Sequence, residues 1–202
     1  MQFAELLSAK NFREAVHSLA RDFRTKHALG KIHQLGLVVP EVEQAAKALE
    51  AKGIGPFFIA SGSPVLWNER GVDKKFRGKM GLAYHQGLEL ELLEPGQGSD
   101  FYRNHLDPKG GIVIQHLGFL CKDVDESAKK LESAGFPTWV RGRLKSFPLT
   151  TEFAYMDTIS ETGFIIEFIS WRLLGIPFSP PPSLIHTLGR LEKWSGKRSI
   201  SL

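Results

Sequence analysis

The chain has 202 residues, 42% of them hydrophobic and 24% charged, which is enough apolar content to bury a sizeable core as one domain or a tight pair. The net charge of +4 comes from basic residues spread among acidic ones, with no zinc-finger spacing or recognition-helix motif, so nucleic acid is not an expected partner. A single cysteine, Cys121, excludes an internal disulfide; no run approaches the roughly 18 apolar residues of a membrane span and the start has no signal-peptide core, so a cytoplasmic protein is expected.

In chain order, Phe12, Val16, Leu19 and Phe23 recur at helical spacing between Arg13, Glu14, Arg21 and Lys26. This predicts one amphipathic helix over about 11–27, within an N-terminal extension of residues 1–30. Residues 32–39 read as a strand, and Pro40 opens a helix that runs to about residue 52, where Gly53 stops it. Strands follow at 56–60, 76–85 and 87–94, with a loop around 62–64. A short helical stretch near 100–106 precedes a second series: strand 112–121, helix 123–134, and strands near 138–143, 151–156 and 164–169. Beyond Ser170, Pro177 and the run at 180–182 mark a linker, and 183–194 is a terminal helix expected to cover an open sheet edge.

The two series are one pattern written twice. From Ile32 the chain reads IHQLGLVVPEVEQAAKALEAKGI and from Ile114 it reads IQHLGFLCKDVDESAKKLESAGF, aligned without a gap. Leu35, Gly36, Val42, Ala46, Leu49 and Gly53 match Leu117, Gly118, Val124, Ala128, Leu131 and Gly135, each pair 82 positions apart. A second echo sets GLELELL from Gly87 against GFIIEFI from Gly163. The prediction is an α+β fold of two βαβββ modules, residues 31–98 and 99–170, with a C-terminal extension of 171–202 and any site between the modules.

Alternation along a strand puts Glu89 and Glu91 on one face and Leu88, Leu90 and Leu92 on the other. On the first strands Gln34 shares a face with Gly36, and His116 with Gly118, the glycines leaving room above the strand for a ligand. If the modules pair by a pseudo-twofold axis, Gln34, Glu91, His116 and Glu167 converge as one amide oxygen, one imidazole nitrogen and two carboxylates. Such a set suits a divalent metal: zinc, nickel, cobalt or manganese. Trp67, Tyr84, His85 and Trp139 are candidates to line a substrate cavity, and the basic cluster Lys74, Lys75, Arg77 and Lys79 could meet an anionic tail.

These residues give the chain its resemblance, from about 31 to 169, to the vicinal oxygen chelate superfamily, which includes glyoxalase I, methylmalonyl-CoA epimerase, extradiol dioxygenases and bleomycin-resistance proteins. The paired strand–helix openings and the strands GLELELLEP and GFIIEFIS carry it. The resemblance implies an open mixed-sheet barrel around a metal held by Gln34, Glu91, His116 and Glu167. Many members have histidine at the first of these positions, where this chain has Gln34 and, one residue early, His33; the gapless repeat favours Gln34. The implied activity is that of a metal-dependent isomerase, epimerase or lyase, with Glu167 and Glu91 as catalytic carboxylates removing a proton beside a carbonyl. A small-molecule substrate follows, either free or as a glutathione or CoA thioester or thiohemiacetal, in a chain that could pair as a homodimer. The alternatives are a non-catalytic binding or resistance protein and a ring-cleaving dioxygenase.

Overall fold

Alternating apolar and polar residues decide which face of each strand meets the helices. The structure is a computed structural model that describes residues 2–196 and 199–201. Its strands are β1 (Gln34–Val38), β2 (Phe58–Gly62), β3 (Leu66–Glu69), β4 (Val72–Asp73), β5 (Gly78–His85), β6 (Leu88–Leu93), β7 (Val113–Leu120), β8 (Thr138–Ser146), β9 (Leu149–Met156), β10 (Ile165–Leu173), β11 (Ile176–Pro177) and β12 (Ile200–Ser201). They form one mixed sheet in the order β12-β2-β5-β6-β1-β7-β10-β9-β8-β3-β4, with β11 on β10. The two halves repeat the same neighbour sequence outward from the centre, β1-β6-β5-β2 and β7-β10-β9-β8. Parallel pairs β1–β6 and β7–β10 flank the antiparallel pair β1–β7, so the modules pair within one chain as an open barrel about a pseudo-twofold axis.

Leu35, Leu37, Leu88, Leu90, Leu92 and Leu117 point to the convex face and are buried against the helices. Each contributes about 1.5–3 kcal/mol by leaving water. The helices there are α1 (Phe3–Ser8), α2 (Phe12–Ser18), α3 (Arg21–Lys26), α4 (Val42–Glu50) and α5 (Val124–Ser133); α6 (Ile159–Thr162) is one turn, and a 3-10 turn spans Arg103–His105. The two repeated helices start differently. Asp123 accepts from the Glu126 N–H at 2.9 Å, a local cap, whereas in α4 the carboxylate of distant Glu94 accepts from the Val42 N–H at 2.9 Å.

Besides the short elements α6, β11 and β12, which the sequence reading does not contain, the structure departs from it in two larger features. The single helix expected over 11–27 is broken after Ser18, where Ala20 adopts a left-handed φ of 47°, and a further helix, α1, precedes it. The apolar stripe survives the break, because Phe12, Val16, Leu19 and Phe23 all remain buried. The second departure is the hairpin β3–β4, which the sequence leaves as loop because its strands are too short to show a period. Its turn residues Arg70 and Gly71 both have positive φ, as a two-residue hairpin turn demands. β3 pairs antiparallel with β8, at the far edge of the second module. β2 and β3, each one strand in from an end of the sheet (β12 and β4 lie outside them), are therefore joined by residues 63–65 alone, a link that spans at most about 14 Å.

The C-terminal helix α7 (Pro182–Ser195) lies against β2 and β5. The buried Glu192 carboxylate accepts from the Ile59 N–H of β2 at 2.8 Å, just ahead of Ala60 and Ser61, which β12 covers. Gly189 sits over the backbone of Phe57, where an added Cβ would be 2.9 Å from a carbonyl oxygen. Among the described residues no helix is long and apolar enough to cross a membrane. Gly189→Ala would gain about 1 kcal/mol of helix propensity, yet the overpacking costs about 1–3 kcal/mol. The variant should therefore unfold at lower urea than the parent chain; a stabilised variant would show that α7 does not dock at Gly189.

Candidate functional site

Two adjacent rungs of the sheet carry the polar residues of the concave face. One runs Tyr84–Glu89–Gln34–Gly118–Glu167–Tyr155 across β5, β6, β1, β7, β10 and β9; the next runs Leu82–Glu91–Gly36–His116–Ile165. Each rung sets the first-strand polar residue of one module opposite the glycine of the other. The space above each glycine is filled from across the axis: a Cβ on Gly36 would lie 1.9 Å from the His116 ring, and one on Gly118 would lie 2.9 Å from Gln34 Oε1. The glycines thus make room for each other's polar partner and not, as the sequence suggested, for a ligand.

Glu91, His116 and Glu167 converge, each presenting one donor atom with all three within 4.8 Å of one another. His116 Nε2 is 3.1 Å from Glu167 Oε2 and 3.3 Å from Glu91 Oε2. The other ring nitrogen, Nδ1, donates to Gln115 Oε1 at 3.0 Å. That bond exists because β7 bulges: Gly36 pairs with His116 but Leu37 pairs with Ile114, so Gln115 is the extra residue. With Nδ1–H committed, a neutral His116 would turn a lone pair on two carboxylates, so the site calls for a proton or a cation there. Burial disfavours a charged His116, but the charge of Glu167, its hydrogen bond and Glu91 outweigh it and push the pKa up to about 9. Glu167 itself is pushed up, by burial first and then by Glu91 against the opposing pull of His116.

The cluster lies at the floor of a cavity of about 480 Å³. Trp67, Phe76, Phe153 and Trp171 are among its walls, Tyr102 and Tyr155 lie beside Glu167 with their hydroxyls 3.0 Å apart, and Leu184, Ile185 and Leu188 of α7 close one side.

The whole chain can now be set beside known proteins. A family model described as the Glyoxalase/Bleomycin resistance protein/Dioxygenase superfamily matches residues 33–154, more than half of the chain. The chain belongs to this superfamily. Solved structures similar to it include methylmalonyl-CoA epimerase from Mycobacterium tuberculosis, 17% identical with a TM-score of 0.45 over 75% of this chain and 88% of that one. A point variant of the Streptomyces coelicolor methylmalonyl-CoA epimerase in complex with 2-nitronate-propionyl-CoA is 16% identical, with a TM-score of 0.46 over 70% and 96%. A mutant of 4-hydroxymandelate synthase from Streptomyces coelicolor is 13% identical, with a TM-score of 0.49 over 82% and 55%. No curated protein matches the chain.

Within this glyoxalase-superfamily chain the donor set fits a divalent cation: the buried Oε1 of Gln34 makes no hydrogen bond within the protein, and His116 Nε2 has no partner besides the two carboxylates. Gln34 reaches the concave face beside Gly118, while His33 lies among Tyr84 and Trp171, with ring centroids 6.4 and 5.7 Å away. Of the residues proposed from sequence to line a cavity, Trp67 does so. Tyr84 is buried beside Glu89 behind the wall, His85 packs on Phe12 of α2, and Trp139 lies under Arg70. Lys74 pairs with Glu69 at 2.9 Å, and Lys75 and Arg77 are exposed outside the cavity, because they sit in the segment returning from the β3–β4 hairpin. Lys79, two residues into β5, lines the cavity, but its ammonium is held by Glu43 at 3.1 Å and Glu94 at 3.7 Å.

The residue that sequence reasoning passed over is Glu89, fully buried and accepting from Gln34 Nε2 at 2.6 Å. Its place on the Glu91 face was the available signal. Burial above all, then the charges of Glu91 and Glu167, push its pKa up to about 8, against the opposing pull of Tyr84 and Gln34. Glu89 thus keeps a proton in the fold that the unfolded chain loses near 4.5, and its contribution to stability is complete below that pH and lost as pH rises through about 8. Chelator-treated protein should therefore lose stability between about pH 5 and pH 9, by at most about 1.4 kcal/mol per pH unit for each such group. Glu89→Gln, which keeps an acceptor for Gln34, should flatten that slope; parallel urea-unfolding curves for variant and parent would show that Glu89 is ionised throughout.

Proposed function

We propose that this chain is a metal-dependent isomerase, epimerase or lyase that removes a proton from a carbon beside a carbonyl. One observation carries the reading: two carboxylates, one from each half, meet the same imidazole nitrogen on the floor of a cavity that is otherwise largely apolar. Glu91, His116 and Glu167, with Gln34 beside them, would hold one divalent ion, zinc, nickel, cobalt or manganese, which when bound supplies Lewis-acid stabilisation of negative charge on the substrate oxygens. Glu167 is the base. Burial raises its proton affinity, so taking a proton from carbon is less uphill for it than for a carboxylate in water. Gln115 holds the His116 ring in one tautomer, and Glu89 holds the Gln34 amide with Oε1 turned inward. The apolar walls exclude water from the carbanionic substrate.

A ring-cleaving dioxygenase is the weaker reading, since one histidine reaches the cluster where a two-histidine, one-carboxylate iron site needs two. A protein that only holds an apolar ligand would suit the cavity walls but gives no reason for the carboxylates.

The decisive measurement is solvent deuterium entering the carbon beside the carbonyl of 2-oxo acids, thiohemiacetals and acyl-CoA thioesters, using protein reconstituted with each of the four ions. Glu167→Gln should lower exchange by about 10²- to 10⁴-fold. Exchange that survives the change would move the base to Glu91, and no exchange with any candidate, in protein that binds an apolar ligand tightly, would end the enzymatic reading.

Elemental analysis should find about one divalent ion per chain. Gln34→Ala should weaken its binding by about tenfold, whereas His33→Ala should leave it unchanged, because the His33 ring packs against Tyr84 and Trp171 and is not among the converging donors. The opposite pattern would put the first ligand at His33.

A further inference from the structure

The cavity is too large and too apolar for the chemistry at its floor to explain. At about 480 Å³ it falls in the range that encloses a whole small molecule, whereas the reacting end needs only the space above Glu91 and Glu167. Its far wall comes from outside the repeated modules: Phe178 and Pro180 of the linker, then Leu184, Ile185 and Leu188 on one side of α7. This wall is anchored at three points, by Gly189 on the Phe57 backbone, Glu192 on the Ile59 N–H, and His186 Nε2 within 3.3 Å of the backbone of Tyr84. Among the described residues Lys79 is the one basic side chain that lines the cavity, and it is already held by Glu43 and Glu94. A phosphate or carboxylate tail would find no free cation there.

We propose that the site takes an elongated apolar molecule with its carbonyl and neighbouring oxygen at one end, bound free and not as a CoA or glutathione conjugate, and that α7 sets the chain length accepted. The orientation of the oxygen-bearing end rests on the enolising reading given above; the class of the tail rests on the cavity alone. The apolar end lies along α7 and Trp171, away from the carboxylates, which leaves the reacting carbon over Glu167.

The test is displacement of 1-anilinonaphthalene-8-sulfonate by straight-chain 2-oxo acids of increasing length, in metal-free and metal-loaded protein. Affinity should rise roughly three- to fourfold per methylene, as burial of each group predicts, and level off when the cavity is full. Leu188→Trp should move the plateau to shorter chains, while Leu191→Ala, on the exposed side of the same helix, should leave it in place. Leu184→Trp is the second wall variant if Leu188→Trp does not fold, and far-UV circular dichroism checks each. Affinity independent of chain length, a plateau unmoved in well-folded wall variants, or an acyl-CoA thioester that binds at least tenfold tighter than the free acid would overturn the proposal. Chain-length dependence in a protein that catalyses no deuterium exchange would uphold it while ending the enzymatic reading, so the two fail separately.

Discussion

The antiparallel contact of β1 with β7 is the constraint from which the rest of the site follows. Two strands related by a pseudo-twofold axis can lie side by side with bulky groups on one face only if each offers space to the other, and Gly36 and Gly118 provide it. A methyl group on either would meet His116 or Gln34, and neither neighbour can move without leaving the rung that aligns it with a carboxylate. Close packing in the interior makes this an all-or-none fit. The parallel partners β6 and β10 then bring Glu91 and Glu167 beside those residues at fixed register.

Such an arrangement is electrostatically unbalanced. Glu89, Glu91 and Glu167 face one imidazole on the concave side, and taking an unpaired carboxylate out of water costs several kcal/mol. The fold answers in two ways. Glu89 is held protonated and shares Gln34, while Glu91 and Glu167 draw a positive charge to His116 Nε2. The two halves differ at this point: Gln34 has the carboxyl of Glu89 beside it, whereas His116 has Ile165 at the matching place and donates its Nδ1 hydrogen bond to the bulged Gln115. A near-symmetric frame thus holds an asymmetric set of donors, which is what a site with one substrate orientation needs.

Much of this was legible in the sequence because period-two alternation and an 82-residue repeat are both properties of residue spacing. They brought Gln34, Glu91, His116 and Glu167 together on the condition of a pseudo-twofold pairing, and they gave each half its βαβββ succession along the chain, while the neighbour order within the sheet came only with the structure. What stayed hidden depends on register and long-range packing. The bulge at Gln115 is a one-residue slip that no local pattern announces. The pairing of Glu89 with Gln34 needs the parallel register of β1 on β6, and the basic run at 74–77 points outward because the hairpin before it crosses to the other half. The terminal helix could be read as an edge cover, but not as the wall of a cavity, since that depends on which of its sides faces the opening.

The three-residue link between β2 and β3 gives the barrel a mechanical character of its own. A sheet whose two ends are unconnected can breathe by splaying them, but here residues 63–65 tie β2, near one end, to β3, near the other, while β3 is hydrogen-bonded to β8. The halves are latched on the side opposite their central seam. Widening the barrel would draw that short link toward full extension or peel β3 from its neighbour, whereas the cavity's lining includes Leu144, Ser146, Leu149 and Leu173, next to the turns on which Phe147 and Leu174 stand in solvent.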